Sequence, residues 1–127
     1  MVHKSRKGVF VALVAAGAIT LGAVPSMSAQ VTIKADGPFP QEWTPKTAHV
    51  TKGKKAVWKN PTFENHNIRS YGGNWSFRKP LAFGDSVARR FKKVGTFKFL
   101  CRIHGSTRRV DGKVVCTGMC GKVRVHR

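Results

Sequence analysis

Acidic residues are scarce: five Asp and Glu stand against 24 Lys and Arg in 127 residues, for a formal charge of +19. The five acids are dispersed, so no pair of carboxylates is available for general acid–base work, and no Ser-His-Asp set is credible. No His-x-His pair occurs. That removes the paired histidine motifs of a trinuclear copper cluster, and with them multicopper oxidase chemistry. A Cys-x-x-Cys-His haem attachment motif is also missing. From residue 30 onward there is no convincing helix, internal repeat or low-complexity stretch. The chain does not read as an enzyme.

The long apolar run lies at the N-terminus. Lys4, Arg6 and Lys7 precede an apolar stretch from Gly8 to Val24, and Pro25-Ser26-Met27-Ser28-Ala29 follows. This order of charged, apolar and small residues is that of a cleavable secretory signal. The apolar part falls short of the roughly 20 residues that span a bilayer, so no membrane-spanning anchor is expected. No cysteine lies near the cut, which argues against a lipid anchor. Residues 1–29 are therefore expected to be a signal peptide, cleaved after Ser28 or Ala29. Residues 30–127 are expected to form one domain, secreted or held in the periplasm or cell envelope. A domain that small buries one modest core and gains from a disulfide or a bound metal.

Setting aside Lys4, Arg6 and Lys7 leaves +16 on the mature part. Such a charge usually raises nucleic acid as a partner. Export argues against it, and the basic residues are scattered through Lys52, Lys54 and Lys55, Arg89 to Lys93, and Arg108 and Arg109. An acidic redox partner or an anionic envelope surface fits better, with a merely solvated face as the plain alternative. A monomer is expected.

Short alternating runs punctuate the mature part. Strands are predicted over 31–34, 49–51, 56–60, 65–70, 86–91, 96–101 and 121–126, separated by turn signals such as Lys52-Gly53-Lys54 and Tyr71-Gly72-Gly73-Asn74. That spacing indicates an antiparallel sandwich or barrel. Alternation puts Phe97, Phe99 and Cys101 on one face, which the two phenylalanines mark as the core side. It likewise aims His66 inward beside Ile68, and sets Val123 and Val125 on one face.

Three cysteines allow at most one internal disulfide, and an odd thiol in an exported protein needs an explanation. Cys116 and Cys120 are close enough for a tight bridge if their Cα atoms come within about 4.4–6.8 Å. That pairing leaves Cys101 free. Cys101, His104, His66 and Met119 then offer one thiolate, two imidazoles and one weak thioether, the donor set of a blue-copper electron-transfer centre. A structural zinc site of the Cys3His type, from Cys101, His104, Cys116 and Cys120, is the alternative that spacing leaves open. His49 and His126 read as ordinary surface or core residues.

From about Ala48 to His126 the chain resembles the cupredoxins of the plastocyanin and azurin kind. The matching pieces, in order, are Val50-Thr51-Lys52-Gly53, Trp58-Lys59-Asn60, His66-Asn67-Ile68, Gly95-Thr96-Phe97, Cys101-Arg102-Ile103-His104 and Met119 through Val125. The resemblance implies an all-β, Greek-key β-sandwich holding one mononuclear type 1 copper. His66, Cys101 and His104 would be its ligands, Met119 the long axial thioether, and Asn67 the brace between the two ligand loops. It also implies an exported carrier of single electrons between redox partner proteins. Fourteen residues separate His104 from Met119, a longer spacing than plastocyanin-like sequences have. The rival functions are a copper-handling protein without an electron-transfer role, and a basic surface-binding module with a structural metal.

Overall fold

The computed structural model describes residues 30–127, and the expected signal peptide lies outside the described residues. Nine strands make up the described chain: β1 (Gln30–Asp36), β2 (Glu42–Thr44), β3 (Thr47–Thr51), β4 (Lys55–Lys59), β5 (His66–Tyr71), β6 (Arg78–Leu81), β7 (Ser86–Arg90), β8 (Gly95–Val110) and β9 (Lys113–His126). They form two sheets, ordered β2-β1-β4-β7 and β3-β9-β8-β5-β6. The chain passes repeatedly from one sheet to the other, giving the Greek-key sandwich expected. These crossings let β1 lie parallel to β4 and β3 parallel to β9. The sandwich is therefore not purely antiparallel.

The core follows from alternation. Phe97, Phe99 and Cys101 all point inward, as do Ile68, Val123 and Val125 from neighbouring strands. Trp58 stands edge-on to Phe99 with ring centroids 5.2 Å apart, and Trp43 approaches the same ring at 5.6 Å. Such tilted pairs add to the area they bury, because a ring edge meets the electron-rich face of its neighbour.

Three elements differ from the sequence prediction. β2 lies between Pro40 and Pro45, whose turn character hides it, yet it delivers a fully buried Trp43. β6 contains Pro80 and is the outer strand beside β5, where a missing N–H costs no ladder bond. The third is the largest. Beyond His104 the chain forms a hairpin in which Gly105–Val110 pairs with Lys113–Gly118. Its two-residue turn, Asp111-Gly112, has positive φ at both positions (51° and 75°), the geometry that Asp-Gly favours. This hairpin takes up all fourteen residues between His104 and Met119.

Candidate metal centre

β5 begins at His66, and β8 carries both Cys101 and His104. Their pairing brings the three side chains together at one end of the sandwich. The ligating atoms all lie within 4.8 Å of one another. Cys101 Sγ is 3.8 Å from His66 Nδ1 and 3.7 Å from His104 Nδ1. With metal–sulfur and metal–nitrogen bonds of about 2.3 and 2.05 Å, those separations subtend roughly 120° at a shared ion. A shared ion could span both sulfur–nitrogen separations, and two imidazoles with one thiolate are the donor set that suits copper in electron transfer.

Each ligand is aimed by its surroundings. The Asn60 side chain is buried; its Nδ2 donates to the carbonyls of Glu64 (2.7 Å) and Leu81 (2.9 Å). Its Oδ1 accepts from the Thr62 hydroxyl at 2.6 Å. With its proton so used, Thr62 Oγ1 is free to accept from His66 Nε2–H, 3.0 Å away. That bond selects the tautomer with the lone pair on Nδ1, the atom facing Cys101. Burial holds the His66 imidazole below its ordinary pKa; the charge of His104 pushes the same way, and Glu64 opposes. The result favours the neutral ring that a metal requires. In the sequence Asn60 entered only through the Trp58-Lys59-Asn60 match, without a role, and Thr62 did not enter, although Asn-Pro-Thr is a turn signature that pointed there.

Asn67 ties the two ligand segments together. Its backbone N–H points at Cys101 Sγ at 3.4 Å, and its Oδ1 accepts from Arg102 N–H at 2.7 Å. Cys101 is fully buried, His66 nearly so, and His104 half-buried.

Met119 is fully buried in the same core cluster as Cys101. Trp43 Nε1 donates to its carbonyl at 3.2 Å. The hairpin brings its backbone back to the metal end, as Gly105 shows: a Cβ there would meet Met119 N at 2.9 Å and Cys101 O at 3.0 Å. Gly118 has φ of 85°, and a Cβ on it would fall 2.4 Å from His104 O. Gly118→Ala is therefore expected to displace the His104 backbone, at a cost above the ~1–2 kcal/mol of left-handed geometry alone. Thermal unfolding of the metal-free protein checks the stability loss, and metal titration checks weakened binding at the centre.

Cys116 and Cys120 are disulfide-bonded with Cα atoms 6.2 Å apart, and Cys101 is the free thiol. Both bridged sulfurs are thereby withdrawn from metal binding, so the Cys3His zinc alternative is not the site that forms. In denaturant, the untreated metal-free protein is expected to titrate one thiol; three would mean that the bridge is absent. His49 and His126 lie exposed at the far end of β3 and β9, with Nδ1 and Nε2 2.8 Å apart. They take no part in the centre.

Neither a protein-family model nor any curated protein sequence matches the chain. Solved structures do. A purple cupredoxin from Nitrosopumilus maritimus superposes with a TM-score of 0.57 at 21% identity, over 76% of this chain and 99% of that one. A reduced amicyanin variant gives 0.60 at 16% identity, over 78% and 84% of the two chains. A copper-containing nitrite reductase from Thermus scotoductus gives 0.59 at 20% identity, but the match spans only 22% of the reductase chain. The fold is that of the cupredoxins.

Proposed function

We propose that the protein is an exported type 1 copper protein that carries single electrons between redox partners. The observation that carries this reading is the convergence of His66 Nδ1, Cys101 Sγ and His104 Nδ1 within a cupredoxin fold. The oxidised, reduced and Cu(I) amicyanins among the similar structures support copper as the metal. Met119 would offer the metal a weak thioether, and residues 30–127 would be the mature domain after loss of residues 1–29.

Copper, when bound, supplies a one-electron couple whose potential depends on the axial ligand and the surroundings of the thiolate sulfur. The chain supplies rigidity. Thr62 fixes the His66 tautomer, Asn67 clamps both ligand segments, and burial of Cys101 excludes water from the sulfur. Ligands held this way move little when charge changes, which favours fast transfer. His104 is half-buried and Ile103 beside it is 54% exposed, so this edge offers the contact for a partner. Match to a small share of the reductase brings no reductase activity with it.

Reconstitution with Cu(II) tests the reading. An intense visible band and a narrow hyperfine splitting in electron paramagnetic resonance are expected, with reversible bleaching on reduction. Colourless Cu(II) binding would favour copper handling without electron transfer, and no binding would overturn both.

A further inference from the structure

We propose that a cleft at the end of the sandwich remote from the metal centre binds a flat aromatic anion, a ring bearing a carboxylate or phosphate. Phe97, at its base, precedes Cys101 by four residues on β8, roughly 13 Å along the strand. The cleft holds about 500 Å3, within the roughly 300–1,000 Å3 of small-molecule sites. Nothing in this inference depends on copper.

Its floor is aromatic. The rings of Phe91 and Phe97 are 5.1 Å apart between centroids, and Trp75 lies 5.4 and 5.9 Å from them. Trp75 is half-buried, and its Nε1 donates to Lys98 O at 2.9 Å, which fixes the indole in place. Phe91 and Phe97 are buried and back the indole, so the fixed Trp75 ring is the platform, and it can take a planar ring without first losing side-chain freedom.

Its rim is cationic. Arg89, Arg90, Lys92 and Lys93 border the same cleft. None has a carboxylate partner: among the described residues the only ion pair is Lys46 with Glu42. Arg89 is held with its guanidinium 5.5 Å from the Phe77 ring centroid, and Arg90 donates to the carbonyl of Gly53. Four like charges gathered without an acid raise the local positive potential, and an anion relieves it. Guanidinium groups also match carboxylate and phosphate geometry. A simple anion leaves the aromatic floor unused, and a neutral ring leaves the rim unused. A ring with an anionic group uses both.

The test is a titration of the isotopically labelled protein with 2-naphthoate, followed by nuclear magnetic resonance. Saturable shifts are expected at the Trp75 indole N–H and the backbone amides of Lys92 to Phe97, with Asn67 and Gly105 unmoved. 2-Naphthalenemethanol, without charge, and acetate, without a ring, are each expected to bind about tenfold more weakly or worse, a difference of ~1.4 kcal/mol. Adenosine monophosphate offers the same chemistry from a nucleotide source, and the tighter of the two anions identifies the source. The exposed double variant Lys92→Glu/Lys93→Glu is expected to keep the fold and weaken the anion about tenfold. Equal affinity for acetate or for the alcohol overturns the proposal, as does binding without saturation or shifts spread over the whole surface.

Discussion

Cys101→Ser is expected to abolish the intense visible absorption of the copper-loaded protein while the metal-free chain still folds. The colour of such centres comes from a short copper–thiolate bond, which a serine oxygen does not reproduce. No other sulfur can stand in as a thiolate, because Cys116 and Cys120 are bonded to each other. The fold should survive because the pocket around Sγ is already polar. His66, His104 and the N–H of Asn67 all approach it. A buried hydroxyl left without partners costs about 1–3 kcal/mol in proteins. The Asn67 N–H that points at Sγ offers the serine oxygen a donor, so the loss is expected to stay within that range. Absorption of the copper-loaded variant and circular dichroism of its metal-free form check the two halves. An undiminished band in the serine variant would remove Cys101 from the centre, and the copper assignment with it.

The metal end was legible because its information is local. Cys101 and His104 are three residues apart on one strand, and the period of two assigns inward faces to Cys101 and His66 without knowledge of the fold. Cysteine arithmetic allowed one disulfide, and the short spacing made Cys116 with Cys120 the pair to expect if the turn closed, as it does. What stayed hidden is non-local or masked by composition. Trp43 sits on a three-residue strand between prolines, and only the completed sandwich shows that its indole N–H holds the Met119 carbonyl. Asn60 and Thr62 act on His66 through a hydrogen-bond relay that no spacing rule encodes. The hairpin is a different case. Asp111-Gly112 between Val110 and Lys113 is a strong turn signal, but Arg108, Arg109 and Lys113 around it break the apolar alternation that marks a strand. Once folded, the hairpin explains how a distant methionine can return. Its strands pair residue for residue from Val110–Lys113 down to Gly105–Gly118, so Met119 arrives beside Gly105.

The same hairpin locates the charge that should govern encounter with partners. Arg102, Arg108, Arg109 and Lys113 are exposed on the segment that begins beside His104, with Asp111 the only acid among them. Arg102 adjoins the electron port. The hairpin charges, roughly 13 Å or more further along β8, lie within the screening length at low salt, so together they should steer anionic acceptors towards it. Fields of this kind raise association rates by roughly 10- to 1,000-fold at low salt. Reduced, copper-loaded protein is therefore expected to transfer electrons faster to anionic inorganic acceptors than to cationic ones of similar potential. Raising ionic strength from about 0.01 to 0.15 M shortens the screening length from roughly 30 to 8 Å, and the preference should shrink with it. Arg108→Glu/Arg109→Glu should reduce the preference further while leaving the visible spectrum intact, because neither side chain contacts the ligands. Stopped-flow rates across a salt series measure both effects. If the rate to anionic acceptors ignores salt, the positive charge does not act at the electron port, and the basic surface serves attachment to an anionic envelope instead. A spectrum that changes in the charge-reversal variant would show that the hairpin shapes the centre itself as well as its surroundings.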